Sequence, residues 1–184
     1  MKRIIDLSSG EVVMGREGEV LKARAIGSCV AVSAYSANKG IGGLAHIMFP
    51  GKSPPDGYLE RTKYCEDALF YMFDAMARRG VDIGAIEVCL VGGANMLARE
   101  DTIGRDNVES VMMFFRKQRI TIKGQAAGGT VRRGVSFDIE RGSISFSEGD
   151  SGEKLLWLSQ KKAAEFWINP LISVDYAAKG KNYR

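Results

Sequence analysis

Histidine is nearly missing from this sequence: 184 residues hold one, His46. That scarcity excludes a metal centre built on several imidazoles. Cysteine is scarce as well. Cys29, Cys65 and Cys89 make an odd number with no CxxC spacing, which argues against a disulfide framework and against a zinc site. No apolar run approaches the ~18 residues that span a bilayer, so membrane insertion is not expected. The N-terminus, MKRIIDLSSGEVVMG, has two basic residues, but Asp6 and Glu11 interrupt its apolar stretch and it does not read as a signal peptide. A soluble, cytoplasmic protein is the expectation. Internal repeats and low-complexity runs are absent too, which removes the solenoid and linker classes.

What is present suffices for a core. The hydrophobic content is 45%, and a domain of this length removes roughly 70% of its unfolded surface from water. The net charge is +4, and residues 105–141, with eight basic and four acidic side chains, hold the whole surplus. Single-strand nucleic-acid binders interleave such charge with stacking aromatics. That interleaving is missing here, so the segment reads as a solvated face or a docking surface for an acidic protein partner, and nucleic acid is not expected.

Short strands are predicted over residues 12–14, 20–26, 30–35 and 43–48, rich in Val, Ile and Ala between small-residue breaks. The longest helix is predicted over 58–79, where Tyr64, Ala68, Tyr71, Met72, Ala75 and Met76 recur at three- and four-residue spacing before a stop at Gly80. Residues 86–91 read as a strand running into Gly92-Gly93. Asp106 or Asn107 is expected to cap a second helix over 108–117. Strands follow over 120–123, 135–139 and 143–146. Hairpins mixed with helical crossovers indicate an α+β protein with mixed sheets. Residues 1–150 are expected to form the main domain. Residues 151–184 are expected to be an extension, with an amphipathic helix over 153–168 and a frayed tail.

The one histidine has a candidate partner. The strands 30–35 and 43–48 flank Ser36-Ala37-Asn38-Lys39-Gly40, a hairpin signal. A turn centred on Ala37-Asn38 sets Cys29 directly opposite His46, with Cβ atoms about 4.5–5.5 Å apart. An imidazole there takes the thiol proton and leaves a nucleophile, then protonates a leaving amine. Gly27 and Ser28 before the cysteine permit a tight turn whose free N–H groups can hold an oxyanion. Packing of a buried cysteine beside a histidine is the competing explanation, and the spacing alone is no motif.

The residues A-I-G-S-C-V-A-V, then G-G-L-A-H-I-M-F-P, resemble the signature of the CheD family of chemoreceptor glutamine deamidases. Later blocks agree: Lys63-Tyr64 opening a helix that ends at Gly80, Gly92-Gly93-Ala94-Asn95-Met96 followed by Ile103-Gly104-Arg105-Asp106-Asn107-Val108, and Gly128-Gly129 with Arg133. The resemblance spans about residues 3 to 148. It implies an α/β sandwich related to toxin deamidases of the cytotoxic necrotizing factor type. It also implies hydrolysis of glutamine side chains to glutamate on the cytoplasmic methylation helices of chemoreceptors. By position Cys29 matches the family nucleophile and His46 its acid/base, with no metal or organic cofactor. Gly92, Gly93 and Asn95 fall in a family block and are candidate borders of the site, although tight-turn glycines explain that block equally. The family commonly carries a catalytic threonine where this chain has Ala23. Ser28 is a candidate substitute, and a backbone carbonyl fills the role in the related toxins. The alternative function is therefore a weakly active or inactive binding partner of a CheC-type phosphatase. A cysteine protease or acyltransferase, using the same dyad, is a third reading.

Overall fold

The computed structural model describes residues 1–56, 58–95 and 102–168. Two five-stranded mixed sheets form the frame. The first has the order β1-β3-β8-β9-β10, with β1 Arg3–Leu7, β3 Glu19–Ile26, β8 Arg133–Asp138, β9 Ser143–Glu148 and β10 Lys154–Leu158. The second has the order β2-β5-β4-β6-β7, with β2 Val12–Arg16, β5 Ile41–Ile47, β4 Val30–Ser36, β6 Glu87–Gly92 and β7 Ile122–Ala127. Helices α1 Cys65–Ala77 and α2 Ile103–Lys117 lie on the second sheet. The α+β expectation holds, in a sheet–sheet–helix layering.

Strand alternation divides the core in two. From β4, Val30, Val32 and Ala34 face α1 and α2, while Ala31 and Tyr35 face the first sheet. From β5, Ala45 and Ile47 face the helices and Leu44 faces the sheet. Because β4 is covered on both faces, all its residues are buried, which explains its unbroken small and apolar composition.

Four sequence expectations change. β1, not expected at all, pairs in parallel with β3. The helix expected over 58–79 is broken: Tyr58–Lys63 is a 3₁₀ segment and Tyr64 is extended, bridging Phe49. That bridge, with the Cys65 N–H donating to the Phe49 carbonyl at 3.0 Å, outcompetes helix propensity. The buried stripe of α1 runs through Cys65, Ala68, Leu69, Met72, Phe73 and Met76, and Tyr71 is exposed. Finally, the helix expected over 153–168 divides into β10 and α3, Gln160–Ile168. Pairing with the open edge of β9 wins there, so the start of the expected extension completes the first sheet. The expected frayed tail lies outside the described residues.

Candidate functional site

The chain crosses from one sheet to the other through Gly27, Ser28 and Cys29, between β3 and β4. Just before the crossing, β3 bulges against β8, and Ala25 takes a left-handed φ of 54°. All three carbonyls of the turn are tied inward. The Ala94 N–H donates to Gly27 at 2.8 Å, the Asn107 side-chain Nδ2 to Ser28 at 2.8 Å, and the Gly93 N–H to Cys29 at 2.7 Å. Among the described residues, no carbonyl accepts from the N–H groups of this turn. Peptide planes whose oxygens point into the protein direct their N–H groups away from it, as an anion-binding nest requires.

Gly92 and Gly93 make this possible. Both have left-handed φ values, 115° and 67°. A Cβ on Gly92 would stand 2.5 Å from the Cys29 carbonyl oxygen, and one on Gly93 would stand 2.8 Å from the Gly104 oxygen. The Asn95 N–H donates to Gly129 at 2.8 Å, the Gly128 N–H to Gly92 at 2.9 Å, and Arg133 Nη1 to Gly128 at 2.7 Å. The block read as a border of the site therefore lies directly against the backbone of Cys29.

Cys29 is half-buried, and burial pushes its thiol up, partly offset by its own backbone N–H. Cys65 and Cys89 are buried and pushed to about 11 and about 12, so neither is a useful nucleophile. His46 lies on β5, 3% exposed, opposite Ala31 and on the face that Leu44 directs between the sheets. Burial lowers its pKa, with Glu11 opposing from the adjacent chain. The two are close through the backbone: the His46 N–H donates to the Glu11 carbonyl at 2.9 Å.

The expected register is corrected here. The hairpin pairs Ser36 with Ile41 and Ala31 with His46, a shift of two residues from the expected pairing. The loop is longer by that amount. An even shift preserves the face, so Cys29 and His46 still point to the same side, as diagonal rather than direct neighbours. Such neighbours lie about 7–8 Å apart along the backbone. Neither ring nitrogen of His46 has a hydrogen-bond partner, so thiol and imidazole are not hydrogen-bonded. Ala23, fully buried in the layer between the sheets, has no side-chain group to bond the ring, and Ser28 makes no hydrogen bond to it.

Asn107 and Asp106 do not cap α2, which begins earlier, after Thr102. Asp106 accepts from the Thr102 hydroxyl at 2.7 Å. Asn107 is fully buried and donates to two carbonyls, Ser28 at 2.8 Å and Met48 at 3.0 Å. The sequence carried a signal for this: Asn107 is the polar member of the stripe Gly104, Asn107, Val111, Phe114 and Phe115. Among the described residues, no group of three or more His, Cys, Asp or Glu is placed to hold a metal, and no helix is long and apolar enough to cross a membrane.

The sequence is similar to those of known proteins. The family model for CheD chemotactic sensory transduction matches residues 48–148, a segment that starts beyond Cys29 and His46. A probable chemoreceptor glutamine deamidase CheD of Chlorobium luteolum is 36% identical over 81% of this chain and 75% of its own length. The chemoreceptor glutamine deamidase CheD of Thermotoga maritima is 29% identical over 84% of this chain and 97% of its own. A probable chemoreceptor glutamine deamidase of Archaeoglobus fulgidus is 32% identical over 77% and 90%. With more than half of its length matched by the family model, and with relatives of this identity across most of both chains, this protein belongs to the CheD family.

Proposed function

We propose that the protein deamidates glutamine side chains on the cytoplasmic helices of chemoreceptors, with Cys29 as nucleophile and His46 as acid and base. The observation that carries this reading is the turn at Gly27–Cys29. Its carbonyls are anchored, its N–H groups are unclaimed, and a half-buried thiol and a lone imidazole share its face. The names of the relatives supply the substrate class.

Burial raises the thiol and lowers the imidazole, so both rest neutral. Proton transfer from Cys29 to His46 creates two opposite charges in one dry layer. The thiolate then attacks the carboxamide carbon, and the oxyanion is held by the N–H groups of the turn. His46 returns the proton to the departing nitrogen, which leaves as ammonia. It then takes a proton from water, which attacks the thioester; glutamate leaves and the thiol is restored. Every proton is exchanged between these two side chains, water and substrate, so no cofactor is needed. The diagonal placement requires side-chain rotation to bring sulfur and ring together, a change that substrate entry can drive.

Mass spectrometry of a chemoreceptor cytoplasmic fragment tests this. Wild type should add the amide-to-acid mass increment at defined glutamines, and Cys29→Ala should not. Equal conversion by Cys29→Ala refutes the assignment. A second reading, a weakly active partner of a CheC-type phosphatase, is favoured by Ala23 and by the unpartnered ring of His46. Co-purification with such a phosphatase, without ammonia release from any receptor, would select it.

A further inference from the structure

We infer that Asn107 is a positioning residue for this reaction, setting the nucleophile turn against the strand that carries His46. The inference rests on the dyad reading above. One nitrogen, Asn107 Nδ2, donates to Ser28, the residue before the nucleophile, and to Met48, two residues after the histidine. The side chain belongs to α2, on the helix face of the second sheet, and is fully buried. Two carbonyls converging on one atom demand two protons from it, and a carboxamide is the compact neutral group that supplies them. A carboxylate would set oxygen against oxygen, and an aliphatic side chain would leave two buried acceptors unpaired.

The bond to Ser28 also completes a pattern. Gly27 and Cys29 are held by backbone donors from the loop after β6, and only the middle carbonyl depends on a side chain. Releasing it lets the Ser28–Cys29 peptide rotate, and that peptide carries the Cys29 N–H. Rotation moves an oxyanion donor while leaving the thiol's neighbours in place. The bond to Met48 holds the segment just after β5 at the same time, so one amide ties the turn before β4 to the chain leaving β5 beyond the β4–β5 ladder. Ser110, one helical turn on, gives a control. Its hydroxyl accepts from the Gly51 N–H at 2.8 Å and anchors the same segment without touching Ser28.

The test uses the whole chain with Asn107→Asp, Asn107→Leu, Ser110→Ala, Cys29→Ala and His46→Ala. Three measurements are made: kcat and KM on a receptor fragment, the pH profile of Cys29 alkylation by iodoacetamide followed by peptide mapping, and folded fraction by circular dichroism. Both Asn107 variants should lose about 100-fold in kcat, the scale of a 1 Å misplacement, with KM within about twofold. Their alkylation profiles should lose the inflection set by His46, while Ser110→Ala keeps wild-type kcat and profile. If Asn107→Leu does not fold, Asn107→Ser, which retains one donor, should show an intermediate loss. Folded Asn107 variants with wild-type kcat and profile overturn the inference, as does an equal loss in Ser110→Ala. Turnover surviving in Cys29→Ala or His46→Ala overturns the dyad itself. Turnover abolished in those two but intact in the Asn107 variants removes the role of Asn107 alone.

Discussion

Replacing Gly92 by alanine probes how tightly the nucleophile turn is held. The added Cβ would stand 2.5 Å from the Cys29 carbonyl oxygen, 2.5 Å from Ile26 Cγ2 and 3.1 Å from Val30 Cα. Ordinary contact begins at 3.4 Å, so the Cys29 carbonyl must retreat by roughly 0.9 Å. Neither backbone group is the free end of a flexible side chain. The φ of 115° adds strain of about 1–2 kcal/mol, and overpacking adds about 1–3 kcal/mol. The expected loss of stability is therefore about 2–5 kcal/mol, read from urea unfolding. The retreat also shifts Cys29 relative to its N–H nest, and a misplacement near 1 Å costs about 100-fold in rate. Turnover should fall by that factor in the fraction that remains folded. Gly18→Ala is the control. Its φ is 86° and nothing lies within 4 Å of the added Cβ, so it should lose about 1 kcal/mol with turnover unchanged. A Gly92→Ala protein with wild-type turnover and stability would refute the clamp between Gly92–Ala94 and the turn.

Four further predictions follow from the structure. His46 is buried with a lowered pKa, so below about pH 6.5 the unfolded chain binds a proton that the folded one resists. Stability should be fully present above that pH and fall as pH drops through it. Urea midpoints at pH 7.5 and 5.5 should separate in wild type and converge in His46→Gln; no difference between the two proteins removes the burial argument. Glu148, whose pKa is lowered by Lys154 and Arg133, acts in a separate window: its stability is present above about pH 4.5 and lost below. Ala25→Gly relieves the left-handed φ of 54°, and thermal unfolding should show a gain of up to about 1 kcal/mol. Ala23→Thr places a hydroxyl in the layer that His46 faces. Turnover should rise and the ring should settle into one tautomer by NMR, whereas a loss of about 1–3 kcal/mol with unchanged turnover would mean the hydroxyl only overpacks the layer.

Local pattern carried the fold where one rule acted alone. The β4–β5 hairpin, apart from its register, and β6 running into Gly92-Gly93 follow from residue type and turn chemistry. Prediction failed where tertiary pairing outbid local preference. Tyr64 has a helical neighbourhood, yet the bridge to Phe49 extends it. Leu155 to Leu158 lead into a helical run, yet an unpaired β9 edge recruits them. β1 pairs in parallel with β3, a partnership that lies beyond any hairpin rule.

The site shows the same division with a chemical consequence. Residue type, the expected hairpin and the family resemblance made Cys29 and His46 candidates, and the even register shift left them on one face. How the turn is anchored is not legible in local pattern, because the anchoring groups come from three distant segments. Gly93 and Ala94 follow β6, Asn107 sits in α2, and Arg133 braces the Gly128 loop from β8. Only the fold brings the Gly93, Ala94 and Asn107 donors to the carbonyls of the turn, with Arg133 bracing the neighbouring Gly128 loop. The nucleophile itself is held almost entirely by backbone bonds, which tolerate side-chain change, while the imidazole has no bond at all. On the proposed mechanism, the turn keeps its N–H donors while residue 23 offers His46 no hydroxyl. A loss of rate from Ala23 would then fall on proton transfer rather than on transition-state charge. A reduced kcat that recovers with an exogenous small amine base, at unchanged KM, is the expected signature. Failure of such a base to accelerate turnover would locate the deficit in the cradle instead.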